Sequence, residues 1–140
     1  MAMDFKLLST YASGEPMKKL EKASSTVIEA GDMVALDAGG LAIKATAAST
    51  AIAWTRSGAA AGELYVQVLD DHKAEFAGSG DANFAKTQRG TVVDLVVNSN
   101  HQQIDVGTSV TDVFKISAAE DAGVVGSPVG IKVRINKFLY

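Results

Sequence analysis

The sequence contains no cysteine and two prolines. Without thiols there is no disulfide framework, no thiolate metal site and no cysteine nucleophile. Aromatic residues make up 6% of the chain, so the 47% that is apolar is carried mainly by Ala and Val. With 13 Gly, that composition suits sheets and tight turns better than thick helix bundles. No apolar run approaches the roughly 20 residues that cross a bilayer as a helix. The opening Met1-Ala2-Met3-Asp4-Phe5-Lys6-Leu7-Leu8 lacks the long apolar stretch of a signal peptide. Neither a membrane partner nor Sec-type export is therefore expected. The net charge of −3 is spread evenly over the two halves, without the concentrated basic field that a nucleic-acid binder needs.

At 140 residues the chain is expected to form one main domain. Residues 1–25 show no sustained period of 2 or 3.6 and read as an N-terminal arm, or else as a tail packed on its own domain. A helical turn is expected at Pro16–Lys22, with Pro at its first position. Residues 26–140 read as a β-barrel-like domain. Met33–Leu36 and Leu41–Lys44, joined by Asp37-Ala38-Gly39-Gly40, form an expected hairpin. Ala51–Arg56 reads as a strand carrying Trp54, the only tryptophan, with core packing as its simplest role. Glu63–Val68 alternates with Leu64, Val66 and Val68 on one face. Gly78–Asn83 reads as a mobile loop, and Thr91–Val97 as a strand buried on both faces. Asn98-Ser99-Asn100 supplies a turn towards Gln102–Val106. Val113–Ile116 is a further strand, and Ser117–Asp121 at most a helical turn. The sharpest alternation is C-terminal: Val129, Ile131, Val133 and Ile135 share one face, Lys132 and Arg134 the other. It breaks at Lys137, where a bulge or a departure from the sheet re-aims the aromatic end. The fold class is thus all-β, a barrel or sandwich of about seven or eight short strands.

The chemistry-bearing residues do not assemble into a catalytic pattern. In Asp70-Asp71-His72 a strand brings Asp70 and His72 to one face, and two ligands do not close a metal site. His101 follows a turn and reads as solvated. Gly78-Ser79-Gly80-Asp81-Ala82-Asn83 starts like a dinucleotide fingerprint but lacks its last Gly. The neighbouring carboxylates Asp70/Asp71 and Glu120/Asp121 read as solvated turn charges. No nucleophile-elbow, Walker or EF-hand spacing occurs, so neither enzymatic activity nor a cofactor is expected. What could bind is apolar and terminal: Phe5, Leu7, Leu8 and Tyr11 at one end, Phe138, Leu139 and Tyr140 at the other. Bulky apolar side chains at chain ends need a surface to cover them. After Asp121 there are three cations (Lys132, Arg134 and Lys137) and no acid, which reads as an edge strand guarded by cations.

The stretch Glu29-Ala30-Gly31-Asp32-Met33-Val34-Ala35-Leu36-Asp37-Ala38-Gly39-Gly40-Leu41-Ala42-Ile43-Lys44 resembles the opening hairpin of tailed-phage capsid decoration (head cement) proteins. Gly58-Ala59-Ala60-Ala61-Gly62-Glu63-Leu64-Tyr65-Val66 is similar to their next element. The resemblance covers about residues 26–70. It implies a homotrimer on the outside of a capsid that clamps the major capsid protein, often through an extended N-terminal arm. Such a protein is made in the host cytoplasm and resides in the virion. Two other readings are a tail-tube or baseplate β-protein, and a small-molecule-binding barrel with a pocket at Trp54 or Tyr65.

Overall fold

A computed structural model describes residues 3–11, 14–119 and 131–139. Those residues form eleven strands: β1 (Phe5–Ser9), β2 (Met17–Glu21), β3 (Met33–Leu36), β4 (Ala42–Lys44), β5 (Ala53–Trp54), β6 (Tyr65–Leu69), β7 (Glu75–Gly78), β8 (Val92–Asn98), β9 (His101–Asp105), β10 (Phe114–Ala119) and β11 (Ile131–Ile135). The one helical element among them is a 3₁₀ turn at Lys86–Gln88. The fold is all-β, as the composition and alternation indicate.

Six strands make the main sheet, in the order β1-β7-β11-β10-β8-β9. It curls, because the chain just past β7 meets β9. The amide of Ile104 donates to the carbonyl of Ser79 (2.8 Å), and that of Asp81 to the carbonyl of Ile104 (2.9 Å). Strands β7, β11, β10, β8 and β9 thereby close on themselves, which removes an exposed edge. A three-stranded sheet β4-β3-β5 and a two-stranded sheet β2-β6 complete the fold, linked by a bridge between Thr55 and Val68.

The hairpin β3–β4 forms as expected, with Asp37 Oδ1 accepting the amides of Gly39 (2.9 Å) and Leu41 (3.0 Å) across the turn. Between β8 and β9, Ser99 and Asn100 both take positive φ (50° and 67°), the mirror-image turn that matches strand twist. In β11, Ile131 and Val133 are fully buried and Ile135 nearly so, while Lys132 and Arg134 are exposed. Val129 lies outside the described residues.

Several expectations need correction. Pro16–Lys22 is not helical; Met17–Glu21 pairs with β6, whose edge offers backbone partners that outweigh local helix preference. Ser117–Ala119 continues β10 as strand across a bulge rather than turning helical. Leu64 precedes β6 and is 60% exposed, so the inward face is Val66 and Val68. Strand β8 is buried on both faces only at Val93, Asp94 and Leu95, and Val97 is exposed. Glu75–Gly78, which carries no clear strand signal in the sequence, is the strand at the centre of the N- and C-terminal pairing. Gly80, expected in a mobile loop, is buried and bridges Ile104. Within the stretch 1–25, read as an arm or as a tail packed on its own domain, β1 and β2 both pair with strands of the domain. Phe5 is fully buried in the larger core and packs on Phe114, ring centroids 5.2 Å apart.

The larger core lies inside the curled sheet, around Phe5, Met33, Trp54, Phe76 and Phe114. A smaller one, around Ile28, Val34, Val66 and Val68, fills the space between the minor sheets. Buried Gln102 joins the layers. Its Oε1 accepts the Met33 amide (2.7 Å), and its Nε2 donates to the carbonyls of Met33 (2.8 Å) and Ala45 (3.0 Å). Both polar atoms of that side chain are thus partnered, as burial requires.

Candidate interaction surfaces

The Ala30-Gly31-Asp32 motif is a junction. Gly31 has φ +84°, and a Cβ there would lie 2.5 Å from Met3 Cβ and 2.7 Å from the Phe5 carbonyl. Backbone thus packs directly on backbone. The Gly31 amide donates to Thr55 (2.9 Å) and its carbonyl accepts from Phe5 (3.2 Å). Trp54 Nε1 donates to the Phe5 carbonyl (3.0 Å). On the far side of β1, Gly78 leaves room for the Phe5 ring, where a Cβ would lie 2.5 Å from Cε1. Asp32 is buried. Burial raises its pKa, against the opposing pull of the Glu29 amide and the Lys44 ammonium 3.6 Å away.

The terminal apolar residues divide into two sets. Phe5, expected at an interface, is a core residue, because the Gly31 and Gly78 gaps accept its backbone and ring. Leu7 is half-buried against the same core. Leu8 is the extra residue of a bulge in β1 and is 41% exposed; Tyr11 is 75% exposed. Met3 is 44% exposed as well, so these three are the exposed apolar side chains of the N-terminal segment, Met3 and Leu8 beside Trp54 and Tyr11 beside His72 and Lys73. At the other end the chain leaves the sheet after Ile135, as the broken alternation indicates. Phe138 bridges Ile52, packs against both cores and stacks on His72 (4.1 Å between centroids). Leu139 packs against the smaller core, so both residues cover the domain's own surface. Tyr140 lies outside the described residues.

The outward face of β1, β7, β11 and β10 is basic. Registered pairing sets Lys6 beside Ala77 and Ala77 beside Lys132, and one row over sets Glu75 beside Arg134 and Arg134 beside Lys115. Lys73 stands at the rim, its Nζ 4.6 Å from the centre of the Tyr11 ring. Between Tyr11, His72, Lys73, Lys115, Ser117 and Arg134 the surface sinks into an open groove of about 710 Å³. Glu75, the cross-strand neighbour of Arg134, makes no close ion pair with it; its Oε2 accepts a hydrogen bond from Ser117 Oγ (2.6 Å). Strand β11 is central, not an edge, which overturns edge protection as the reason for its cations. Lys73 and Lys115 do not stand out along the chain. Lys115 is placed by cross-strand register and Lys73 by its contact with Tyr11, neither of which a linear reading contains.

Carboxylates gather at the far end of the sheet. Asp94 is buried, which disfavours its charge, yet three amides (Asp112, Val110 and Thr111, each 2.9 Å) outweigh that and lower its pKa. Asp105 is raised by burial and by the neighbouring charges of Asp81 and Asp94. His101 Nδ1 meets Asp4 Oδ1 at 2.9 Å, and Asp4 Oδ2 accepts the Gln102 amide, so this histidine ties the N-terminal segment to β9. Trp54 is buried, and Tyr65 is exposed beneath the Lys19 ammonium. No group of three or more His or acidic residues among the described residues is arranged to hold a metal ion, and no helix is long and apolar enough to cross a membrane. Compared with protein-family models, curated proteins and solved structures, the chain matches none.

Proposed function

We propose that this chain is a structural virion protein, a homotrimer that binds the outer surface of a tailed-phage capsid and stabilises the shell without catalytic turnover. The observation that carries the reading is the exposure of Met3, Leu8 and Tyr11 on an N-terminal segment anchored by the Gly31 junction. A domain that already fills two cores still exposes large apolar side chains in one continuous segment, which marks a contact surface. The resemblance of Glu29–Lys44 to the decoration-protein hairpin names the class of partner, the major capsid protein. Because Phe5 pins the strand, these side chains are presented rigidly, and association does not bear the entropy of ordering a loose arm.

Sedimentation velocity of the purified protein and its co-sedimentation with capsid shells test this. Three chains per particle and saturable shell binding, both weakened by Leu8→Asp with Tyr11→Asp, are the expected results. A monomer at micromolar concentration that ignores shells contradicts the proposal. A ring of six or a stacked tube favours a tail-tube protein instead.

A further inference from the structure

The basic sheet face has no structural explanation of its own. Like charges directly opposed across strands are destabilising, yet Lys115 faces Arg134 on the outer side of β10 and β11. Such cations guard edges, but β11 lies between β7 and β10. Among the described residues five cations (Lys6, Lys73, Lys115, Lys132 and Arg134) share this face and its rim with one outward strand carboxylate, Glu75, and with the buried Asp71, which accepts the amides of Tyr11 and Lys73, on a chain whose net charge is −3. Among the described residues none of the five makes an ion pair, and Glu75 is held by Ser117. The face is a concentration of unneutralised charge.

We infer that this face is a docking surface for an acidic protein segment, whose carboxylates enter the groove between Lys73, Lys115 and Arg134. Charge complementarity identifies the occupant. The guanidinium of Arg134 can take a carboxylate through two parallel hydrogen bonds. Lys115 and Lys73 flank it, and Tyr11 and His72 supply the aromatic wall that anchors interfaces. The dimensions favour a protein over a nucleic acid. Four strands span roughly 15 Å, too narrow for the long basic track that gives phosphate polymers their affinity. Tyr11 borders both surfaces, so docking here is separated from capsid binding through Lys115 and Arg134: shells can fail to bind while an acidic peptide binds, and the reverse.

Titrating the full-length protein with a fluorescent hexaglutamate peptide tests it. Expected is saturable binding that weakens on the order of tenfold between low and physiological salt. Lys115→Glu with Arg134→Glu abolishes that binding, while Lys18→Glu with Lys19→Glu on β2 leaves it unchanged. If the reversed pair fails to melt like wild type, Lys115→Gln with Arg134→Gln replaces it, and binding still drops at least tenfold. Equal loss in the β2 control reduces the effect to bulk charge and overturns the inference. So does binding of an oligothymidylate of equal charge as tightly as the peptide. A change of oligomeric state in the β10–β11 variant overturns it in another way, since the occupant is then a second copy of the chain.

Discussion

Strands β1 and β11 flank β7 on its two sides. β11 is enclosed between β7 and β10, whereas β1 ends the sheet. In β11 the alternation is complete, with Ile131, Val133 and Ile135 inward and Lys132 and Arg134 outward. In β1 Phe5 is fully buried, Leu7 is half-buried and Leu8 is displaced by a bulge. β11 is held by the summed burial of regularly spaced side chains. β1 is held on one side by its pairing with β7, and at Phe5 by a buried ring, an indole hydrogen bond and two glycine gaps. A strand with one face on the core and the other in solvent carries a period of 2 along its whole length. A strand at the end of a sheet can be fixed at one point.

The harshest test removes the end strand altogether. Deleting residues 1–20 takes away β1 and nearly all of β2, exposing Trp54, Phe76 and Phe114; loss of the cooperative thermal transition is expected. A truncated protein that melts cooperatively restores the detachable arm and removes the contrast between the two strands. Next, Val133→Asp places an unpaired carboxylate in the larger core and is expected to cost about 5 kcal/mol or more, measured by urea denaturation. Phe5→Ala should approach it, at about 3 to 5 kcal/mol, because a buried ring is replaced by a cavity. If Phe5→Ala costs under about 1 kcal/mol, β1 is not pinned by its ring.

Two smaller effects sharpen the contrast. Asp32 sits beside the β1 anchor with a raised pKa. A group of this kind favours the folded state fully below its unfolded pKa, and the advantage is lost as pH rises through the folded value. Asp32→Asn, which keeps an acceptor for the Glu29 amide, should therefore raise Tm slightly at pH 7 and leave it unchanged near pH 3 (a value of about one pH unit below the ordinary carboxylate range). A lower Tm at pH 7 means that the Lys44 pair outweighs burial. The smallest change is Lys132→Asp. On the solvent face of β11 it should alter stability by at most about 0.5 kcal/mol, while charge reversal at Lys115 and Arg134 acts on peptide binding. Equal destabilisation by Val133→Asp and Lys132→Asp would contradict the facing of the strand.

Three features are written locally in the chain and are legible from its residues alone. The β3–β4 hairpin follows from Asp and Gly turn chemistry, the β8–β9 reversal from Asn98-Ser99-Asn100, and the facing of β11 from its period of 2. Strands β2 and β7 are not legible in this way. Lys-rich Met17–Glu21 and the short Glu75–Gly78 owe their strand state to partners distant in sequence, β6 for one and β1 and β11 for the other. Of the terminal residues expected to bind, Leu8 and Tyr11 are exposed, whereas Phe5 and Phe138 occupy pockets that distant segments supply.

Composition and nearest-neighbour spacing act within a few residues, and they suffice for the all-β class, the principal turns and the sparse charge. They leave open that β11 is central, that Phe5 is core, and that Lys6, Lys115, Lys132 and Arg134 share one face. Those outcomes belong to the folded sheet, whose order and register are set by which edges meet when the hydrophobic surface is buried as a whole. Cations far apart along the chain become neighbours only through that pairing, and the repulsion between them exists only once the sheet has formed.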